Sequence, residues 1–245
     1  MSLQIYSLLY DYFMQQPDDD SILCNAFLTL EWNLMARSDS VTSCHLNHIE
    51  WRNDSLVIFF AHSKGDQEGV NRREPWYIYA NPGQPSICPI LALAKYLFSH
   101  PSVLTGDQKL FPGGHQYSRF MKSFHRALNH LEDDIKSLGV DVVLLGSHSA
   151  RKGAATLAAC GCTVSPPMAS ICLRAGWSMD PVKERYLFYE KAGDQFVGRT
   201  VCGLSPLSIE FAVGPPHFNI TNQEEKKNPE TYNRLICWIQ WKKYE

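Results

Sequence analysis

Hydrophobic residues recur every three or four positions through the beginning of the chain. This spacing predicts a helix over 3–13, a turn at QQPDDDS, and a second helix that Asp20 or Ser21 caps and that runs up to Arg37. A further short helix is expected after Asp39, before the pattern changes.

Alternation replaces helical spacing in the segment IEWRNDSLVIFFAHSKGDQEGVNRREPWYIYANP, residues 49–82. The segment is rich in Ile, Val, Phe, Trp and Tyr, which favour strands, and it contains two groups of turn-forming residues, RNDS and KGDQEG. It therefore predicts three antiparallel strands joined by two turns.

Helical spacing returns after the predicted sheet. Pro89 lies in the first turn of a strongly amphipathic helix in SICPILALAKYLFSH, and a longer helix is predicted over 116–138. Shorter helices are predicted near 149–160, 166–175 and 180–191. The chain is thus predicted to be α+β, mainly helical with a small three-stranded antiparallel sheet.

The charge is nearly balanced over the whole chain but is unevenly distributed. A formal net charge of −2 argues against a protein that coats nucleic acid without specificity. Residues 1–36 contain five acids and no lysine or arginine, so the remainder is mildly basic. This distribution permits a localised anion site in the remainder of the chain.

Cysteine usage and hydropathy limit the protein class further. The eight cysteines stand singly in apolar segments, which is typical of reduced thiols in an intracellular protein. No apolar run reaches the length of a membrane span, and the start of the chain lacks a signal-peptide pattern, so no membrane partner is expected. Cys160-x-Cys162 has no matching second pair, so no metal is expected.

The stretch GSHSARKGAATLAACG places a histidine and two cations where a helix is predicted to begin. Ser147 or Ser149 is a suitable N-cap. His148 and Arg151 are three residues apart, so on a helix they share one face and their donors can converge on an anion such as phosphate. The alternative is an ordinary helix start at which the charges of Arg151 and Lys152 are solvated.

Residues 26–200 resemble the catalytic domain of the tyrosine recombinases, the lambda-integrase family. The family has an arginine at a helix end, a lysine on a sheet hairpin, His-x-x-Arg, a His or Trp, and a tyrosine nine residues after it. The matching positions, in chain order, are Arg37, Lys64, His148, Arg151, Trp177 and Tyr186. The sequence around them (KGDQEG, HSARKGAA, AGWSMDPVKERY) is most similar to that of recombinases of eukaryotic mobile elements of the Crypton and DIRS type.

The resemblance implies a site-specific recombinase or integrase that cleaves and rejoins DNA through a covalent 3′-phosphotyrosyl intermediate, without a metal or other cofactor. It implies double-stranded DNA as the partner, a homotetramer on DNA, and a nuclear location. The corresponding domain division is a short helical segment at 1–21, a catalytic domain at 22–203, and a tail at 204–245. The aromatic LICWIQWKKY in that tail is a candidate for reaching a neighbouring protomer, or for packing on its own domain.

The DNA phosphate that is cleaved is expected to be bound by positively charged side chains. Arg37 and Arg151 can grip both non-bridging oxygens with the planar fork of the guanidinium, which lysine cannot reproduce. In the family pattern Lys64 protonates the leaving 5′ oxygen, and His148 acts as acid or base or orients the nucleophile. The segments around Arg37, Lys64, Arg151 and Arg174 are expected to form one positive concavity.

The aromatic members of the set complete the expected site. Trp177 is expected to hydrogen-bond the phosphate through its indole N–H while packing on the helix that carries Tyr186. Tyr186 is the expected nucleophile, because it follows Trp177 by nine residues, whereas Tyr189 lies three residues further on a similar helix face. Tyr189 is the competing assignment.

Two departures from the family pattern leave alternatives open. Ser40 stands where many relatives carry an acid, with Asp39 beside it. The family usually has a separate helical domain ahead of the catalytic one, and only a short acidic segment precedes the resemblance here. The main alternative is a catalytically inactive or domesticated DNA-binding protein that retains the recombinase fold. A type IB topoisomerase or a metal-dependent nuclease fits the residues less well.

Overall fold

The computed structural model describes residues 1–59, 75–104, 109–177 and 191–207. The fold is α+β, mainly helical with a three-stranded antiparallel sheet, as predicted. In chain order the elements are α1 (Leu3–Gln15), α2 (Asp19–Leu34), α3 (Ser38–Thr42), β1 (Ile49–Arg52), β2 (Ser55–Ile58), β3 (Trp76–Tyr79), α4 (Pro89–Ser99), α5 (Gln116–His130), α6 (Glu132–Ser137), α7 (His148–Cys160), α8 (Met168–Ala175) and α9 (Lys191–Val201). Short 3-10 helices occur at Leu46–His48, Pro85–Ile87, Pro101–Leu104 and Val142–Leu144.

Helix α2 is the centre of the molecule. Every residue from Ser21 to Leu34 is buried, because α1, α4, α5 and α7 pack around the helix. Its N-cap is Asp18, whose carboxylate accepts the Ser21 N–H at 3.1 Å, rather than the predicted Asp20 or Ser21. The helix stops at Leu34, short of the predicted end, because Met35 adopts the left-handed conformation with φ 49°.

Helix α1 shares its hydrophobic core with α2. Tyr6 stacks on Trp32 with ring centroids 4.3 Å apart, and the C-terminal carbonyls of α1 are capped from a distant helix. Lys95 of α4 donates to the carbonyls of Met14 and Gln16 at 2.6 and 3.1 Å. The helix predicted from spacing at the beginning of the chain is therefore fixed by tertiary contacts at both ends.

The sheet has the strand order β1-β2-β3, and each neighbouring pair is antiparallel. The predicted turn at RNDS is present, with Asn53 at φ 54°, whereas the predicted KGDQEG turn lies outside the described residues. Helix α9 packs closely on β3: a Cβ at Gly198 would lie 2.3 Å from the Tyr77 carbonyl oxygen. A glycine is required there because the two backbones approach each other directly.

The later helices differ from the predicted ones in two places. The long helix predicted over 116–138 is two helices, α5 and α6, which meet at Leu131. The second of them has three acids in its first turn, which suit a helix N-terminus, and it buries Ile135. Helix α9 was not predicted, and the predicted helix near 180–191 falls mostly outside the described residues. The helix predicted near 149–160 ends at Gly161 as expected.

Two acids at the beginning of the chain pair with arginines of α5. Asp20 pairs with Arg119 at 2.6 Å and Asp18 with Arg126 at 3.0 Å, whereas Asp19, between them, lies 3.9 Å from the ring of His100 after α4. None of the helices in the described ranges is both long enough and apolar enough to cross a lipid bilayer.

A buried ion pair joins four elements below the sheet. Arg174, at the end of α8, contacts the Asp194 carboxylate of α9 at 2.7 Å, and both side chains are almost completely buried. The same guanidinium donates to the carbonyls of Asn33 in α2 and Tyr77 in β3 at 2.7 and 2.9 Å. The other Asp194 oxygen accepts the Tyr77 N–H at 3.0 Å. This set is called the Arg174–Asp194 network below.

We predict that Asp194→Asn lowers the free energy of unfolding by about 3–5 kcal/mol, because it leaves a buried guanidinium without its counter-charge. The matched substitution Asp20→Asn removes a half-exposed partner of Arg119 and should cost less than about 1 kcal/mol. Urea denaturation of the two variants measures both values. Equal, small losses would show that the buried pair does not hold the fold together.

Candidate functional site

The start of α7 presents the predicted histidine and arginine. Ser147 occupies the N-cap position without a side-chain capping bond, and the Ser149 hydroxyl instead accepts the Gly146 N–H at 2.9 Å. His148 is exposed, and its Nδ1 lies 3.2 Å from the Ser147 hydroxyl. Arg151 lies one turn later and is buried, with 8% of its surface exposed. The histidine therefore faces solvent, whereas the arginine lies beneath it.

Arg151 is held against the C-terminus of α8. Its Nη2 donates to the carbonyl of Ala175, the last residue of that helix. Carbonyl groups at a helix C-terminus have no partner within the helix and carry partial negative charge, so they favour a cation. Within the described part of the chain the remaining guanidinium N–H groups donate to no protein acceptor, so they can receive a ligand.

Trp177 lies beside the same guanidinium. Its ring centroid is 5.9 Å from the Arg151 Cζ, and the residue is 40% exposed. Gly176, at φ 59°, ends α8 in the left-handed conformation, and the Trp177 N–H then donates to the Cys172 carbonyl at 2.9 Å. This helix end turns the chain so that the indole comes next to Arg151.

Arg37, which is far from Arg151 in the sequence, is the second predicted arginine. It is the exposed N-cap residue of α3, and not the last residue of α2 as predicted, because α2 stops three residues earlier. Burial lowers the pKa of Arg151, and the positive charge of Arg37 lowers it further. The positive charge of Arg37 therefore adds to the unfavourable electrostatic environment of the Arg151 guanidinium.

Arg37 and Arg151 differ from the other described arginines in having no ion pair with a described carboxylate. Of the seven arginines within the described ranges, five pair with a carboxylate, and the two that do not are Arg37 and Arg151. The paired arginines are Arg52, Arg119, Arg126, Arg174 and Arg199. The unpaired two interact with each other, so their combined charge has no protein counter-ion in the part of the molecule that is described. Together with Trp177 they form what we call the two-arginine site.

Of the six predicted residues, Trp177 lies beside Arg151, and the charge of Arg37 acts on Arg151. His148 lies on the same helix as Arg151, but its hydrogen-bond contact in the described chain is with Ser147. Lys64 and Tyr186 lie outside the described residues, as does Tyr189, so the choice between the two tyrosines stays a prediction.

Arg174 does not belong to this surface. It was expected to join a positive concavity, but its side chain is completely buried and bound to Asp194. Its hydrogen bonds to Asp194, Asn33 and Tyr77 use the guanidinium within the protein, which leaves it unavailable to a ligand. Sequence alone could not show that Arg174 is buried in an ion pair, because its partner Asp194 lies 20 residues away along the chain.

Glu31 is a residue near the site that the sequence reading overlooked. It is 1% exposed, and one carboxyl oxygen lies 2.5 Å from the Ser38 hydroxyl while the other has no hydrogen-bond partner. Burial raises the pKa of Glu31 to about 8, against a smaller lowering by Ser38. The available signal was an acid inside the apolar run FLTLEWNL, six residues before Arg37.

Comparisons with known proteins add no relative. No protein-family model matches the chain, and no curated protein matches it. Within the described ranges, no group of three or more His, Cys, Asp or Glu side chains is placed to hold a metal ion.

We predict that Glu31 makes the protein less stable as the pH rises. Between its ordinary pKa of 4.5 and the raised value of about 8, the folded state binds one more proton than the unfolded state, so the free energy of unfolding falls with pH across that window. The slope has an upper limit of about 1.4 kcal/mol per pH unit. Above that window the contribution is constant.

Urea denaturation at pH 5.5 and pH 7.5 tests this prediction. Glu31→Gln should gain stability relative to the native protein at the higher pH, since the amide does not ionise. Glu132→Gln, an exchange at an exposed ion pair on α6, should show no such gain. If Glu31→Gln has the same effect at both pH values, the carboxyl does not titrate in this range.

Proposed function

We propose that the protein is a tyrosine recombinase that cleaves and rejoins double-stranded DNA through a 3′-phosphotyrosyl intermediate, and that the two-arginine site binds the phosphate that is cleaved. The observation that carries the proposal is the pairing pattern of the arginines. Arg37 and Arg151 interact with each other and have no carboxylate partner among the described residues, whereas the other described arginines each have one.

Electrostatics favours an anion between these two side chains. Bringing two positive charges together costs free energy, and partial burial of Arg151 increases that cost because the dielectric constant is lower there. An anion that accepts hydrogen bonds from both guanidiniums removes the repulsion. A phosphodiester matches this arrangement, because its two non-bridging oxygens can each accept from a planar guanidinium fork.

The neighbouring groups suit a phosphoryl transfer. The exposed indole of Trp177 offers an N–H donor next to Arg151, and His148 presents a titratable ring one turn earlier on α7. Charge that develops on the phosphoryl oxygens would be stabilised by donors that are already in position, which is a main source of rate enhancement in such reactions.

The proposed step breaks one bond and forms one bond at phosphorus. The hydroxyl oxygen of Tyr186 bonds to phosphorus, the bond to the 5′ oxygen breaks, and Lys64 gives that oxygen a proton. The proton of the tyrosine passes to His148 or to water. Rejoining reverses the step with the 5′ hydroxyl of another strand. By the family resemblance, we further propose a homotetramer on DNA and a nuclear location.

A covalent trap tests the proposal. The probe is a library of randomised duplexes with nicks, from which the short strand released by cleavage diffuses away, so that the protein stays bound to the 3′ phosphate. The adduct should form in the presence of a chelator. Tyr186→Phe should abolish it without changing duplex affinity, whereas Tyr189→Phe should retain it.

Arginine variants connect the reaction to the two-arginine site. Arg37→Ala or Arg151→Ala should slow adduct formation by several orders of magnitude, which corresponds to about 3–6 kcal/mol of transition-state stabilisation. Arg126→Ala is the matched control, because that arginine is exposed and paired with Asp18, and its loss should leave the rate nearly unchanged. Duplex binding that depends on Arg37 without any trapped tyrosine would favour the inactive DNA-binding alternative instead.

A further inference from the structure

No hydrogen bond to a described residue fixes the direction of the Arg37 side chain. It is exposed, and it makes no side-chain capping bond at the start of α3. Its position opposite Arg151 therefore depends on the backbone that carries it. Since the two guanidiniums repel each other, that backbone must be held by other groups.

Glu31 holds the backbone on both sides of Arg37. Its main-chain carbonyl accepts the Ala36 N–H at 3.1 Å, and its carboxyl lies 2.5 Å from the Ser38 hydroxyl. Ala36 and Ser38 are the residues immediately before and after Arg37. One buried residue therefore fixes both neighbours of the arginine, in the tight turn where Met35 reverses the chain.

The carboxyl of Glu31 has no other evident task in the described fold. No cation pairs with it within the described ranges, and its second oxygen is buried without a partner. A buried polar atom without a partner destabilises a protein, and an apolar side chain of similar size would fill the same space without that cost. The hydrogen bond to Ser38 is what the carboxyl adds.

We infer that Glu31, acting through Ser38, is a positioning residue that holds Arg37 within reach of Arg151. The inference rests on the proposed function only for its consequence in DNA binding. The placement of Arg37 itself can be measured without DNA.

The first measurement is the side-chain Nε–Hε NMR resonance of Arg151, which senses the nearby charge of Arg37. Arg37→Ala gives the reference shift. Ser38→Ala and Glu31→Met should move the Arg151 resonance toward that reference, because both remove the hydrogen bond that places Arg37. Glu31→Gln should stay close to the native protein, because an amide can still bond to Ser38. Ser43→Ala is the matched control, since this hydroxyl follows α3 and, among the described residues, donates to the Ser40 carbonyl at 3.0 Å.

The second measurement is duplex affinity in a double-mutant cycle. Ser38→Ala should weaken binding of a DNA duplex by about 3- to 10-fold, as expected for one lost hydrogen bond, and should have no further effect when Arg37→Ala is already present. Thermal denaturation of each variant shows whether it is folded, and Ser38→Ala keeps the test usable if Glu31→Met does not fold.

The outcomes separate the two claims. If Arg37→Ala shifts the Arg151 resonance but Ser38→Ala and Glu31→Met do not, the positioning role is wrong whatever the DNA result. An equal loss of affinity from Ser38→Ala with and without Arg37 also overturns it. If the resonances behave as expected but Arg37→Ala leaves duplex affinity unchanged, the positioning role stands and the proposed function fails.

Discussion

The Arg174–Asp194 network is the interaction on which the described arrangement depends. Arg174 binds Asp194 of α9, the Asn33 carbonyl near the end of α2 and the Tyr77 carbonyl of β3. The next residue along the chain after Arg174 provides the carbonyl that holds Arg151, and α2 leads directly into the turn that carries Arg37. One buried guanidinium thus ties the end of α8, which holds Arg151, to the end of α2, which leads to Arg37.

The molecule uses arginine in two opposite ways. A buried arginine with its carboxylate costs desolvation free energy but fixes geometry, because every donor has a defined acceptor. Arg37 and Arg151 instead have no carboxylate partner among the described residues, and the charge of Arg37 disfavours that of Arg151. Functional side chains need a rigid surrounding framework to hold them in position. Here the framework consists of helix ends: the C-terminus of α8 behind Arg151 and the turn after α2 beneath Arg37.

Local periodicity predicted most of the elements, while tertiary contacts decided the rest. The three strands and the helices at Pro89 and His148 follow from spacing and capping signals. The end of α2 depends on Met35 adopting a left-handed conformation, which no propensity favours, and α9 packs on β3 through a direct backbone approach at Gly198. For the site, residue types and their order indicated an anion-binding set. Arg174 has a carboxylate partner and Arg151 has none among the described residues, because the fold brings Asp194 next to Arg174 alone of the two. No local sequence pattern indicates which carboxylate will lie near which arginine.

The most direct measurement is a crystal structure of the protein with bound tungstate, an oxyanion that resembles phosphate and that anomalous scattering locates unambiguously. The account predicts a tungsten peak between the guanidiniums of Arg37 and Arg151, beside Trp177, that disappears in Arg151→Ala. Tungstate bound only at other basic residues, with the gap between Arg37 and Arg151 empty at saturating concentration, would contradict it.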